Sequence, residues 1–114
     1  MTDMAKVREL NDSFRTGERS YLGRFRISYG VQQLLTPCSL FSIKELCDQV
    51  RKYTDFPVEI DPFQEHDMGH FGYMEHHFMW SIEVFGPDYK STTDHPDDPD
   101  KSRRILTIML VEEF

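Results

Sequence analysis

The stretch that decides the fold is residues 105–111, with the sequence ILTIMLV. Six of its seven residues are apolar, and neither glycine nor proline interrupts them. An apolar run of this kind is typical of a strand that is buried on both faces. Such a strand needs a neighbouring strand on each side and cover above and below. We therefore expect residues 105–111 to form a central strand of a sheet.

Two helices are predicted earlier in the chain. Apolar residues recur at helical spacing in residues 4–16, and Gly17 is placed to end that helix. Ser42 and Glu45 fit the capping box that begins a helix. The apolar residues that follow form one stripe, which Tyr53 continues. Both helices are expected to pack on the sheet.

Three further segments alternate between apolar and polar residues, as half-buried strands do. Residues 23–31 are the first, with apolar residues on one side and an arginine pair on the other. The other two segments flank Glu75. A turn of two residues there would place Phe71 on the same face as Phe78 and Trp80. This agreement predicts a hairpin.

The predicted order of elements is helix, strand, helix and then three strands. The simplest architecture with this order is an α+β fold, with two helices packed on a mainly antiparallel four-stranded sheet. A chain of 114 residues has the size of one domain. Residues 1–114 are therefore predicted to form a single domain.

The net charge of −7 is distributed unevenly along the chain. Residues 1–52 contain nine Lys and Arg against six Asp and Glu, whereas residues 53–100 contain twelve Asp and Glu against Lys90 alone. Phosphate repulsion would oppose binding of nucleic acid by this acidic half. We therefore expect a basic protein surface as the partner, with no direct contact to nucleic acid.

Composition also bears on the compartment. No apolar run approaches the roughly 20 residues of a membrane span, and the first residues do not begin a signal peptide. Cys38 and Cys47 form no CxxC pair, which favours free thiols in a reducing cytosol. Cys47 lies in the apolar stripe of the second helix, so a packing role is expected. These features predict a cytoplasmic protein without membrane contact and without a cofactor.

A histidine cluster is the one feature that favours chemistry. In the sequence EHDMGH of residues 65–70, the side chains of His66, Asp67 and His70 are of the types that bind zinc, iron or manganese. No HExxH motif accompanies them, and Gly69 argues against a helix that would align the two histidines. Hydrogen bonds from His66 and Asp67 that anchor a loop are the favoured interpretation. A metal site at these three residues is the alternative.

Three motifs resemble a known family: VRELNDSFR at residues 7–15, EHDMGHF at residues 65–71 and LTIMLVEE at residues 106–113. They resemble a domain-of-unknown-function family of small bacterial proteins found on plasmids and integrated elements. The resemblance implies a bacterial cytosolic setting and a mobile-element context, but no particular chemistry. Proteins from such settings are frequently inhibitors of host defence systems, which is an association and not a mechanism.

Residues 86–101 hold three prolines and five aspartates, which predicts a long acidic surface loop. With the acidic half as a whole, this loop favours a non-enzymatic interaction protein, and no catalytic residue is predicted. The expected action is anti-CRISPR-like, the inhibition of a nucleic-acid-binding bacterial defence complex by occupying its basic surface. The alternatives are a small metal-dependent hydrolase centred on residues 65–70 and a dimerising structural module with an exposed apolar sheet face around Met79 and Phe85. The carboxylates predicted to bind the partner are Glu59, Asp61, Glu65, Asp67, Asp88, Asp94, Asp97, Asp98 and Asp100.

Overall fold

The computed structural model of the protein describes residues 2–35 and 42–114. These residues form three α-helices: α1 (Met4–Arg15), α2 (Tyr29–Leu34) and α3 (Ile43–Arg51). Two of them, α1 and α3, are the helices that the sequence predicts. No helix within the described ranges is long and apolar enough to cross a membrane.

Capping side chains begin both α1 and α3, and a glycine follows α1. The Oδ1 atom of Asp3 accepts a hydrogen bond from the backbone N–H of Lys6 and so caps α1. At α3, Ser42 and Glu45 form both halves of the predicted capping box. Gly17 follows the end of α1 with a φ of 90°, a left-handed conformation that glycine adopts without strain. Local sequence therefore determines where α1 and α3 begin and where α1 ends.

Four strands form one sheet: β1 (Gly23–Ile27), β2 (Met68–Tyr73), β3 (His76–Phe85) and β4 (Arg103–Leu110). Their spatial order is β1-β4-β3-β2, so the apolar strand β4 lies inside the sheet as predicted. β4 pairs antiparallel with β3 and β3 with β2, whereas β1 and β4 are parallel. The predicted α+β class is confirmed, and the sheet is mixed rather than wholly antiparallel.

The predicted strand over residues 23–31 is wrong in its second half. β1 ends at Ile27, and the next residues form the short helix α2. Ser28 caps this helix, because its Oγ atom accepts a hydrogen bond from the N–H of Val31. The carboxylate of Glu113 accepts a second bond from the N–H of Gly30, at 3.0 Å. These two contacts stabilise a helix where the alternating pattern alone predicts a strand.

The predicted hairpin between β2 and β3 is confirmed. Its turn consists of Met74 and Glu75, which adopt left-handed φ angles of 48° and 68°. Phe71 lies opposite Phe78 and Gly69 lies opposite Trp80, so Phe71, Phe78 and Trp80 share one face of the sheet. The turn has the two-residue length typical of hairpins, although it contains no glycine.

The core lies between the helices and one face of the sheet. Tyr53, Phe56 and Cys47 pack against its edge, and burial raises the pKa of the free Cys47 thiol. This position agrees with the predicted packing role, whereas Cys38 lies outside the described residues. The buried cluster consists of Leu10, Phe14, Leu22, Val31, Leu46, Val50, Phe78, Trp80, Ile82, Leu106, Ile108 and Leu110.

The opposite face of the sheet carries Met79 and Phe85. Met79 is fully buried and Phe85 is half-buried. Nearby in sequence, Tyr89 lies against Arg24, with the guanidinium carbon 3.8 Å from the ring centroid. Met79 therefore adds no exposed apolar surface to this face.

Candidate functional site

The connector, residues 54–67, joins α3 to β2 and is organised around Asp61. This residue is buried, and its carboxylate accepts hydrogen bonds from the backbone N–H groups of Glu65 and His66, each at 3.0 Å. Gln64 and His66 adopt left-handed φ angles of 51° and 55°. Asp61, one of the nine predicted partner contacts, is thus directed into the connector itself.

His66 attaches the connector to α1. Its Nδ1 atom lies 2.9 Å from Oδ2 of Asp12, and its ring stacks on Phe56 with centroids 3.8 Å apart. Asp12 also accepts a hydrogen bond from Nη2 of Arg15, at 3.2 Å. The His66 side chain therefore anchors a loop, which is the role that the sequence favours for it.

Arg15 extends this attachment to α3. Its Nη1 atom donates hydrogen bonds to the backbone carbonyls of Val50 and Tyr53, at 2.7 and 3.0 Å. The guanidinium carbon lies 5.3 Å from the centroid of the Phe56 ring, within cation–π range. One buried cation therefore joins the end of α1, the end of α3 and the start of the connector.

The three residues of the alternative metal site do not converge. His66 is directed towards Asp12 on α1. His70 lies opposite Met79, on the sheet face that points away from the main core. Across residues 2–35 and 42–114, no group of three or more His, Cys, Asp or Glu side chains is arranged to hold a metal ion.

A cleft of about 420 Å³ lies beside the N-terminal half of α1. It is bounded by α1, by the end of the connector, by β3 and by the acidic loop, which we define as residues 86–101. Its walls combine apolar and polar side chains, and its carboxylates come from the connector. The lining residues are Thr2, Met4, Val7, Asn11, Glu65, Asp67, Ile82, Val84 and Pro96.

Asn11 and Arg104 hold the walls of the cleft together. The Nδ2 atom of Asn11 donates a hydrogen bond to the backbone carbonyl of Glu65, at 2.9 Å, and its Oδ1 accepts one from Nε of Arg104, at 2.6 Å. Arg104 also donates to the carbonyl of Pro96 and to Oγ of Ser102. Burial lowers the pKa of Arg104 to about 10. This residue thus links α1, β4 and the acidic loop.

The carboxylates of Glu65 and Asp67 form an adjacent pair at the cleft. Burial raises the pKa of Glu65, and the negative charge of Asp67 and a hydrogen bond to it raise that pKa further. The backbone of Asp67 is fixed, because its carbonyl accepts a hydrogen bond from the N–H of Ile82, at 2.7 Å. Two like charges held in this way repel each other, and a bound cation would relieve the repulsion.

Two aspartates of the acidic loop, Asp88 and Asp97, hold its backbone in place by accepting hydrogen bonds. The Asp88 carboxylate accepts hydrogen bonds from Ser91 Oγ and from the N–H groups of Lys90 and Ser91, which lower its pKa to about 2. Asp97 accepts one from the N–H of Asp3, at 2.9 Å, which lowers its pKa as well. The second contact brings the acidic loop to the start of α1, next to the cleft.

The predicted partner contacts therefore fall into two groups. Asp98 resembles Asp88, because its Oδ1 accepts a hydrogen bond from the N–H of Asp100. Glu59, Asp94 and Asp100 are exposed, and Glu65 and Asp67 are half-buried at the cleft. Those turned towards the protein's own backbone are Asp61, Asp88, Asp97 and Asp98.

The ion pairs that Lys and Arg form in the described residues involve acids of residues 1–52 alone. Among the residues described, Lys and Arg form ion pairs with Glu9, Asp12 and Asp48. All three acids belong to residues 1–52. The twelve acids of residues 53–100 are all within the described part, and none of them pairs with Lys or Arg.

No motif in the sequence marks Asn11, Asp12 or Arg104 as a residue of the cleft or of the connector attachment. A signal exists for Arg104, because a charged residue directly before the apolar run of residues 105–111 must find partners if it is buried. Asn11 and Asp12 carry no local signal. Their partners Arg104 and His66 lie 93 and 54 residues away along the chain.

The fold and the site define a small acidic α+β domain with a carboxylate-bearing cleft. Residues 27–113 match the family model described as a protein of unknown function, DUF3768, and the chain belongs to this family. The match begins at the end of β1 and covers the connector, the acidic loop and the remaining strands. No curated protein and no solved structure matches the chain.

Proposed function

We propose that this protein is a non-enzymatic interaction protein whose acidic half binds the basic surface of a partner protein. The specific form that we propose is inhibition of a nucleic-acid-binding bacterial defence complex in the cytoplasm. The carboxylates would occupy Lys and Arg sites that otherwise bind phosphate. Occupancy alone blocks such a site, so the action requires no catalysis.

The observation that carries this proposal is the meeting of two acidic segments at one cleft. The connector contributes Glu65 and Asp67, and the acidic loop contributes Pro96 to the same walls. Within the described part of the chain, the acids of residues 53–100 form no ion pair with Lys or Arg, which supports their availability to a partner. A cationic partner would supply the missing counter-charges.

The cleft has the chemistry to take a Lys or Arg side chain. Its apolar walls, which include Val7 and Ile82, suit the methylene stem of such a side chain. Glu65 and Asp67 suit the charged end, and charge-assisted hydrogen bonds of this kind are stronger than neutral ones. The exposed carboxylates of Glu59, Asp94 and Asp100 would raise the association rate by attracting the basic surface.

A charge-neutralising double variant tests this proposal. Tagged protein captures partners from a nuclease-treated bacterial lysate, and each captured partner is purified and its affinity measured. Glu65→Gln with Asp67→Asn is expected to weaken binding by about tenfold or more, and salt is expected to release the partner. Glu18→Gln with Glu112→Gln removes the same charge elsewhere on the exposed surface and serves as the matched control.

Competition with nucleic acid tests the inhibitory form of the proposal. The purified partner is expected to lose its nucleic acid when the wild-type protein is added, and to retain it when the cleft variant is added at the same concentration. The proposal would be contradicted if salt did not release the partner and if Glu65→Gln with Asp67→Asn bound the partner as tightly as the wild type. A partner that holds nucleic acid and this protein at once would contradict inhibition by occupancy.

A further inference from the structure

Three large apolar side chains project from the connector into solvent. Val58 is 63% exposed, Ile60 is 56% exposed and Phe63 is 72% exposed. They lie within six consecutive residues and do not belong to the core cluster. Single exposed apolar residues are ordinary on protein surfaces, but three on one short segment are typical of a contact surface. We call these three side chains the apolar knuckle.

Hydrogen bonds hold the backbone that carries the knuckle. The carbonyl of Pro57 accepts bonds from the N–H groups of Ile60 and Asp61, at 3.0 and 2.8 Å. Nε2 of Gln64 donates to the carbonyls of Phe56 and Asp61, at 3.2 and 2.6 Å. The exposed side chains therefore stand on a segment that is fixed at both ends. A contact made from a fixed segment loses less conformational entropy on binding.

The charge around the knuckle selects the kind of partner. The connector contains five acidic residues and neither Lys nor Arg, and Glu59 lies between two of the knuckle side chains. Asp61 is buried, but Asp55 and Glu59 are exposed, so a surface that covers the knuckle must also face exposed carboxylates. Complementarity therefore requires an apolar pocket with a basic rim.

We propose that Val58, Ile60 and Phe63 are the docking contact of this protein, and that they insert into an apolar pocket rimmed by Lys and Arg on a partner protein. This inference rests on the proposed function, because the same basic partner supplies the rim. The proposed function lacks an apolar anchor, and the knuckle adds one. A few side chains that are buried in well-packed pockets contribute most of the affinity at protein interfaces.

A second copy of this chain is a poorer occupant of the knuckle. In a symmetric dimer the same patch meets itself, so the exposed acids Asp55 and Glu59 of one connector would face those of the other. Like charges placed opposite each other oppose association. The charge of the connector therefore favours a different, basic protein.

A defined probe tests the inference with purified components. The probe is a labelled amphipathic helical peptide of leucine and lysine, which presents an apolar stripe with a basic rim; a peptide with serine in place of leucine is its matched control. Ile60→Ser with Phe63→Ser is expected to weaken binding of the leucine peptide by about tenfold and to leave the serine peptide unchanged. Tyr29→Ser with Phe114→Ser removes two exposed aromatic rings elsewhere and is expected to change neither.

Each outcome supports or overturns the docking contact. Equal affinity of the wild type and the Ile60→Ser, Phe63→Ser variant for the leucine peptide overturns it. If Glu65→Gln with Asp67→Asn still weakens binding in that case, the proposed acidic function survives and the apolar anchor alone fails. Sedimentation that shows a wild-type dimer, lost in the knuckle variant, assigns the knuckle to a second copy and also overturns the inference. Circular dichroism confirms that each variant is folded.

Discussion

Arg104 of β4 and Asn11 of α1 are joined by a hydrogen bond of 2.6 Å between Nε and Oδ1. Arg104 is fully buried, and it also donates to Oγ of Ser102 and to the carbonyl of Pro96. All three acceptors are neutral, so dipoles rather than a carboxylate stabilise this buried positive charge. Since Asn11 and Pro96 also line the cleft, the shape of the cleft depends on this arginine.

Replacing Asn11 by alanine is expected to destabilise the fold. The substitution leaves Nε of Arg104 buried without its acceptor and the carbonyl of Glu65 without its donor. Loss of such a partner costs about 1–3 kcal/mol in the free energy of unfolding, which urea denaturation measures. Arg8→Ala on the same helix is the control. A loss below about 0.5 kcal/mol, the range of ordinary surface substitutions, would contradict this account.

Two glycines of β2 give a matched test of packing. A Cβ atom at Gly69 would lie 2.6 Å from the ring of Tyr53 and 2.7 Å from Nε1 of Trp80. Gly69→Ala is therefore expected to lower the free energy of unfolding by about 1–3 kcal/mol. At Gly72 the nearest atom would be 3.9 Å away, so Gly72→Ala is expected to be tolerated. Denaturant midpoints that shift equally for the two variants would show that the close approach at Gly69 is not limiting.

Local sequence signals predict the elements whose geometry depends on their own residues. The capping box of Ser42 and Glu45, the apolar run of β4 and the two-residue hairpin turn are each encoded within a few positions. Local sequence does not predict the helix α2, because Glu113, one of the residues that stabilise its start, lies more than eighty residues away. The parallel pairing of β1 with β4 is also long-range, and no pattern within either strand specifies it.

The candidate site was predictable in composition but not in geometry. The sequence shows that residues 53–100 are acidic, and several of the predicted carboxylates are exposed or line the cleft. It does not show that Asp61 and Asp88 accept hydrogen bonds from their own segments, because such bonds depend on the turn that each segment adopts. The Asp12–His66 contact depends on how α1 packs against the connector.

The Glu113 side chain is expected to stabilise the fold by joining the end of β4 to the start of α2. Its carboxylate accepts hydrogen bonds from Ser28 Oγ at 2.6 Å, Leu110 N–H at 2.8 Å and Gly30 N–H at 3.0 Å. Glu113→Ala is expected to reduce the free energy of unfolding by about 1 kcal/mol, as the loss of a helix cap does. Thermal melts check this, and the neighbouring exposed Glu112→Ala is the control.

The contribution of Glu113 is expected to depend on pH. Its hydrogen bonds hold the pKa of its carboxyl below the ordinary value of 4.5. A carboxyl with a lowered folded-state pKa stabilises the fold above its ordinary pKa, and this stabilisation is lost as the pH falls through the lowered value. The difference in melting temperature between wild type and Glu113→Ala should therefore narrow as the pH is lowered below 4.5. A difference that is constant with pH would assign the effect to packing.

The contribution of Glu65 to the stability of the fold is expected to change with pH in the opposite direction to that of Glu113. Burial and the charge of Asp67 raise the pKa of Glu65 above 4.5. A carboxyl with a raised folded-state pKa destabilises the fold once the pH exceeds its ordinary value, and protonation removes this cost. Glu65→Gln keeps a donor for Asp67 without the charge, so it should raise the melting temperature at neutral pH while weakening partner binding. Below the ordinary pKa of Glu65 the gain should vanish. A lower melting temperature for Glu65→Gln at neutral pH would contradict this prediction, because it would show that ionised Glu65 beside Asp67 does not destabilise the fold.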